Sequence, residues 1–195
     1  MPRYFAILLT FALAVRADAQ VSARITAGAT RGSTLVDDDV NGPIALGTAI
    51  SPTVAVAIAH PVGSGYRALL EVRASRGNLM VDDDAGSASL DGLTALGVMV
   101  LVDGPVAGTV RFEIGAGLLS YRTQQRGVFA DGRPSPWILG GGLSWSRPLG
   151  VTTQLIVNAR YDFHQFQSDR LESLGYTRFN TVHRVGLGFG VERRL

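Results

Sequence analysis

The chain has 195 residues, of which 46% are hydrophobic, and its formal net charge is +2. It contains no cysteine, which excludes a disulfide scaffold, a thiolate metal site and a cysteine nucleophile. The small charge, without a basic tract, gives no indication of nucleic-acid binding. No apolar stretch reaches the roughly 18–20 residues of a membrane-spanning helix, whereas the 24 glycines suit crowded strands and tight turns.

The first 19 residues have the pattern of a secretory signal peptide. Arg3 supplies a positive start, Tyr4–Val15 is apolar but too short to span a bilayer, and Ala17 and Ala19 are small residues at the positions that a signal peptidase recognises. We therefore expect residues 1–19 to be removed on export and residues 20–195 to form one domain.

Five of the segments after Gln20 alternate with a period of two, which is typical of strands with two unlike faces. They are Val21–Thr30, Tyr66–Ser75, Val106–Tyr121, Val151–Gln165 and Thr181–Val191. One face of each segment is apolar. The opposite faces carry nine charged residues: Arg24, Arg67, Glu71, Arg73, Arg111, Glu113, Arg160, Asp162 and Arg184.

Three further segments, Thr53–His60, Gly92–Val102 and Trp137–Arg147, are less polar. Their predicted inner faces are Ala55, Ala57 and Ala59, then Leu96, Val98 and Val100, then Gly140, Gly142 and Ser144. The middle segment is apolar on both faces, so its pattern defines its register least well.

The connections alternate between short and long. Short turns are predicted at Pro61–Gly65, Asp103–Pro105 and Pro148–Gly150, and long polar connections at about 32–51, 76–91, 122–135 and 166–180. Short periplasmic turns and long external loops give this rhythm in an up-and-down barrel. The predicted fold is all-β: an eight-stranded antiparallel up-and-down transmembrane β-barrel.

The aromatic residues favour a barrel whose apolar face meets lipid. Trp137 and Trp145 lie eight residues apart on one face of a strand, a separation of about 20 Å along the membrane normal for a tilted strand. Such positions suit the two membrane interfaces, and the predicted interfacial girdle is Tyr66, Trp137, Trp145, Tyr161 and Phe163. A soluble barrel has the opposite arrangement, with an apolar interior and a polar exterior.

The last strand, Arg184–Val191, has a polar residue, a glycine, and then apolar and aromatic residues at alternate positions. This motif resembles the assembly signal of the small OmpA-like outer-membrane β-barrels, and the resemblance extends over the whole mature chain. It implies a place in the bacterial outer membrane, contact with outer-membrane lipids and lipopolysaccharide, and insertion by the barrel-assembly machinery. The chain departs from the family by continuing to Leu195 instead of ending on phenylalanine.

An eight-stranded barrel has an interior only wide enough for side chains. We therefore expect Arg67, Arg73, Arg111 and Arg160 to pair across the lumen with Glu71, Glu113 and Asp162. The predicted protein has a plugged lumen, no cofactor, and a structural or surface-interaction role. Two alternatives remain open: a gated ion path, and a conduit for small hydrophobic molecules along an apolar inner stripe, as in OmpW-like barrels.

The candidates for other chemistry are weaker. Asp37, Asp39 and Asn41 match the first half of a calcium loop, but Thr48 stands where the closing acid belongs. A second acidic group is Asp82–Asp84, and solvated loop acids are the favoured interpretation of both.

Catalysis has little support in the sequence. His164 and Ser168, with Glu172 further on, could serve a lipid A hydrolase only with a spacing unlike that of the family, and His164 with Asp162 and Asp169 offers a similarly weak protease site. We expect the protein not to be an enzyme.

Overall fold

The computed structural model describes residues 20–38, 44–83, 86–124, 135–166 and 180–195. Within these ranges the chain forms ten β-strands: β1 (Ser22–Gly32), β2 (Val36–Asp38), β3 (Ile44–Thr48), β4 (Ser51–Gly63), β5 (Tyr66–Asp83), β6 (Gly86–Ala107), β7 (Val110–Thr123), β8 (Ser135–Pro148), β9 (Thr153–Phe166) and β10 (Asn180–Arg194). No helix formed by the described residues is long and apolar enough to cross a membrane. The predicted signal peptide lies outside the described residues.

Eight of the strands close into an antiparallel barrel. β1 pairs with β4 on one side and with β10 on the other, and the pairing of β5 with β6 completes the ring. Chain neighbours pair around the remaining circumference, as in an up-and-down barrel. The short strands β2 and β3 form a hairpin that attaches to the far end of β5 through Ala45–Thr48. The predicted fold class is confirmed.

The two ends of the barrel differ. At one end, the turn end, short turns join β4 to β5, β6 to β7 and β8 to β9, and Leu195 donates a backbone hydrogen bond to Val21 at 2.9 Å. The other end, the loop end, bears the long connections. The tight turn between β4 and β5 requires positive φ at Gly63, Ser64 and Gly65, which explains its two glycines.

Alternate residues face opposite sides of the wall, and the apolar set faces outward. On β10 the side chains of Leu187 and Phe189 are 67% and 65% exposed, whereas Arg184 is 6% exposed and Glu192 is 2% exposed. The same contrast holds on β1, β5, β7 and β9. An apolar exterior around a charged interior is the arrangement of a transmembrane barrel.

The predicted inner face of β6 is wrong. Leu96, Val98 and Val100 point outward and are exposed, and the inner face instead carries Leu93, Ala95, Gly97, Met99, Leu101 and Asp103. Both faces of this strand are apolar in the sequence, so the pattern alone could not choose between them. Pairing decides: Val98 lies opposite Val72 and Leu118, which are both outward-facing.

Three predicted connections contain strands. The connection predicted at 32–51 holds β2 and β3. The segment predicted as a loop at 76–91 extends β5 to Asp83 and begins β6 at Gly86, and the predicted turn residues Asp103–Pro105 belong to β6. The turn between β6 and β7 lies at Gly108 and Thr109, after a register shift between Pro105 and Ala107. Gly104 and Pro105 therefore lie at an irregularity near the end of β6, and the strand itself continues to Ala107.

The substitution Val98→Arg tests the corrected orientation of β6. A charge placed on the lipid-facing side near the middle of a membrane strand lowers the free energy of unfolding by about 2–4 kcal/mol. Urea unfolding in lipid vesicles should show this loss. Val151→Arg is the matched control, because Val151 lies in a turn and is 95% exposed, and its unfolding midpoint should stay close to that of the wild type. Equal stability of the two variants would contradict the orientation.

Candidate functional site: the charged lumen

The inward-facing charges near the turn end form one group, the turn-end network, composed of Arg24, Arg67, Asp103, Arg111, Glu113 and Glu192. Its six residues lie on five strands, β1, β5, β6, β7 and β10, and β7 supplies both Arg111 and Glu113. Register places several of them side by side: Arg24 lies opposite Glu192, Arg67 opposite Asp103, and Asp103 opposite Glu113. At the first two positions antiparallel pairing brings unlike charges together across neighbouring strands. At the third position it brings two acids together, and Arg24 contacts both of them.

Arg24 crosses the lumen. Its Nε lies 2.9 Å from Glu192 Oε2 and its Nη1 lies 2.5 Å from Glu113 Oε1, while Nη2 is 3.6 Å from Asp103 Oδ2. All four side chains are buried. One guanidinium therefore ties β1 to the strands that carry the three acids.

Asp103 is the most heavily engaged acid of the turn-end network. It is fully buried, Arg67 Nε donates to both of its oxygens at 3.0 and 3.1 Å, and Arg111 Nη2 donates to Oδ1 at 2.8 Å. Arg67 also binds Glu192 through Nη1. Because Asp103 and Glu192 are each shared among arginines, the network extends across the lumen as a connected layer.

A second group lies farther from the turns. This mid-barrel network consists of Glu71, Arg73, Arg160 and Asp162. Arg160 donates to Asp162 Oδ1 at 2.7 Å and to Glu71 Oε1 at 3.0 Å, and Arg73 contacts the same two acids at 3.1 and 3.0 Å. The four residues form a closed ring of ion pairs between β5 and β9.

Gly140 leaves the space that this ring occupies. A Cβ atom at Gly140 would lie 2.0 Å from Asp162 Oδ1, so a larger residue there would displace the carboxylate. Gly140, on the predicted inner face of β8, thus makes room for a charged side chain of β9, and Gly142 allows the close approach of the β9 backbone at Ala159.

An apolar inner wall lies beside the charges. Ala55, Ala57 and Ala59 of β4 face inward as expected, and Leu101 and Met99 of β6 join them. Arg160 covers part of this wall, since its Nη2 lies 2.7 Å from Met99 Sδ, and the apolar side chains of the wall are buried. Small side chains on β4 therefore pack against the arginines and leave little open lumen here.

The structure brings the nine charged residues predicted for the lumen to the inner face, but some of the expected pairs differ. Glu113 pairs with Arg24, whereas Arg67 and Arg111 pair with Asp103, which the sequence interpretation had assigned to a turn. Glu192, treated as part of a divergent tail, is also a central acid. Both residues continue the two-residue period of their strands, which is the signal that could have identified them.

The five residues predicted for the interfacial girdle lie on the outer face, at two levels. Tyr66 and Trp145 lie near the turn end, where Tyr66 packs edge-on against Phe112 at a centroid distance of 6.2 Å. Trp137, Phe163 and Tyr161 lie toward the loop end, with Trp137 packed edge-on against Phe163 at 6.0 Å. Two separated aromatic levels fit two membrane interfaces.

The candidates for other chemistry gain no support from the geometry. The described part of the chain holds no group of three or more His, Asp or Glu residues arranged to bind a metal ion. Asp39 and Asn41 of the half calcium loop lie outside the described residues, as does Asp84; Asp37 is in β2. His164 is buried on the inner face and hydrogen-bonds the Tyr121 hydroxyl at 3.0 Å, and Ser168, Asp169 and Glu172 are outside the described residues.

Solved structures of known proteins share this architecture. The outer membrane protein OprG from Pseudomonas aeruginosa aligns with a TM-score of 0.62 at 10% identity, covering 91% of this chain and 96% of its own. AlkL in lipid bilayers gives 0.62 at 12%, covering 91% and 90%, and Neisserial surface protein A gives 0.52 at 14%, covering 90% and 97%. The fold is that of a small outer-membrane β-barrel. No protein-family model and no curated protein sequence matches the chain.

The substitution Asp103→Asn tests the importance of the turn-end network. It keeps the shape of the side chain but leaves three arginines without their shared acid, and removing one partner of a buried ion pair lowers the free energy of unfolding by about 3–5 kcal/mol. Urea unfolding in detergent micelles measures the change. The control is Asp82→Asn, since Asp82 is exposed and contacts Ser87, and it should cost less than about 1 kcal/mol.

Proposed function

We propose that this protein resides in the outer membrane of a Gram-negative bacterium as a non-enzymatic barrel with a structural or surface-interaction role, related to the OmpA-like group. The observation that carries the proposal is the pair of ion-pair networks that cross the lumen at two levels. The interior of an eight-stranded barrel is only wide enough for side chains, and these ion-paired side chains occupy it. Free diffusion of solutes through the barrel is then blocked.

The orientation follows from the two unlike ends of the barrel. We propose that the turn end faces the periplasm and the loop end faces the exterior, as short turns and long connections are placed in bacterial barrels. The outer face then meets membrane lipids, with lipopolysaccharide around the loop end. The barrel-assembly machinery would recognise the last strand, β10, whose outer face carries Leu187, Phe189 and Val191.

A surface role is supported by the division of the molecule into a rigid wall and long connections. The wall is held by continuous strand pairing and by buried charges, so it presents the connections at a fixed place. Loops carried by a rigid scaffold are where binding specificity usually resides. The hairpin β2–β3 and the extended ends of β5 and β6 raise part of this surface beyond the barrel rim.

Planar-bilayer recording tests the plugged lumen. The wild type should show no steady, reproducible conductance. The double variant Arg24→Ala/Arg160→Ala removes one central cation from each network and should produce a measurable ion current, because both charged layers lose their crossing side chain.

The matched control is Arg31→Ala/Arg76→Ala, which removes two exposed arginines, one on β1 and one on β5, and should remain silent. A stable unitary conductance of the wild-type protein would contradict the proposal and favour the gated ion path.

The second candidate function is a conduit for small hydrophobic molecules. It is favoured by a cluster of buried apolar side chains on the loop-end side of the networks: Leu35, Leu79, Leu93, Leu119, Tyr121, Ile138, Phe166 and Val182. An apolar solute entering from the loop end would meet these residues before the ion pairs. A defined apolar compound that remains bound after extraction in native lipid particles would support this candidate over the plugged barrel.

A further inference from the structure

Arg184 differs from the other lumen arginines in its surroundings. It projects from β10 toward the loop-end side of the mid-barrel network and is only 6% exposed. Its Nη2 donates a hydrogen bond to the hydroxyl of Ser75, on the facing strand β5, at 3.0 Å. A hydroxyl oxygen carries no net charge, so this contact leaves the guanidinium charge uncompensated.

The neighbouring acids are occupied by other arginines. Asp162 is the register neighbour of Arg184 on β9, but its two oxygens bind Arg160 at 2.7 Å and Arg73 at 3.1 Å. Among the described residues, no carboxylate forms a salt bridge with Arg184. Together with the mid-barrel network it makes three arginines against two acids, whereas the turn-end network has three arginines against three acids.

An uncompensated guanidinium at this depth is unfavourable. Burial removes water from the charge, and this loss is unfavourable unless an opposite charge and hydrogen bonds replace the water. Arginine cannot relieve the penalty by releasing its proton at ordinary pH. A bound anion would supply the missing charge.

The space beside Arg184 has the chemistry of a small anion site. A cavity with room for about one water-sized group is lined by Arg184 and by the hydroxyl-bearing residues Thr30, Thr48, Ser51, Ser75 and Tyr121. Leu93 and Ala95 form its apolar side, and no acidic residue is among the described residues that line it. Thr30 and Ser75 accept hydrogen bonds from Thr53 and Arg184, so their own hydroxyl hydrogens can be donated to an anion. Ser51 Oγ donates to the Ala49 carbonyl and the Tyr121 hydroxyl meets His164. The small volume restricts the anion to one of very few atoms.

We propose that the lumen binds a small monovalent anion at Arg184, either a halide ion or the carboxylate of a short organic acid. The guanidinium supplies the charge, and the hydroxyls of Ser75 and Thr30 complete the coordination. The bound anion brings the charge of this half of the lumen to balance. The site is separate from the two networks that fill the lumen. The proposal therefore does not depend on whether the barrel conducts ions.

The test measures the thermal unfolding midpoint of the full-length protein, folded in detergent micelles, at constant ionic strength. Sodium bromide and sodium formate are compared with sodium gluconate, whose anion is too large for the cavity. At about ten times the dissociation constant, a bound probe should raise the midpoint by about 3–6 °C. Arg184→Gln should abolish the rise, and the control Arg76→Gln, which removes an exposed outward arginine from β5, should keep it.

The two probes identify the source of the anion. A rise with bromide alone assigns a free inorganic ion, a rise with formate alone assigns a small carboxylate, and a rise with both assigns a general monovalent site; all three support the proposal. Equal midpoints in the three salts, or the same rise in Arg184→Gln as in the wild type, would overturn it.

A measurement on the wild type protects the test against a variant that does not fold. Crystals grown with bromide should show an anomalous-scattering peak beside the Arg184 guanidinium, within hydrogen-bonding reach of Ser75 Oγ. Ser75→Ala, which removes one donor and keeps the arginine, should weaken bromide binding several-fold. Bromide peaks confined to the outer surface would count against the site.

Discussion

The structure depends on one constraint: a closed ring of strands in which the apolar face of every strand is outside. Closure pairs the backbone of each barrel strand on both sides, so no barrel edge is left open. Because the outer face is apolar, the polar residue at every second position is directed into a narrow lumen. The arginines and acids must then satisfy one another, since little water shares the space.

That requirement explains why the lumen is organised in layers. At the turn end, three arginines meet three acids, and Arg24 joins residues from opposite sides of the barrel. In the middle, Arg160 and Arg73 share Glu71 and Asp162, and the glycines and alanines of β8 and β4 leave the required volume. Small residues and long charged ones are therefore complementary parts of a single interior. Among the described residues, the balance of positive and negative charge is incomplete at Arg184, where positive charge is in excess.

The division between wall and connections has a consequence for function. The barrel wall resembles that of proteins with only 10–14% identical residues, so its architecture tolerates nearly complete replacement of the sequence as long as the alternation is kept. The features particular to this chain are then the charged side chains of its lumen and its loop-end surface. The apolar cluster around Leu93 and Tyr121 and the cation at Arg184 lie next to each other at the loop end, which makes this half of the interior the more distinctive one.

The sequence alone predicts the eight barrel strands, the alternation of faces on five of them and the inward position of nine charged residues, because a period of two assigns each residue to a face without knowledge of its neighbours. It misses the short strands β2 and β3. It did not determine the orientation of β6, whose two faces are both apolar, nor that Asp103 and Glu192 are central acids. Those features were decided by pairing between strands distant in the chain: Val98 faces outward because Val72 and Leu118 do, and Asp103 meets Arg67, Arg111 and Arg24 because closure brings their strands around one lumen. Which charge meets which is a property of the closed barrel, since the partners of each ion pair lie on different strands or across the interior.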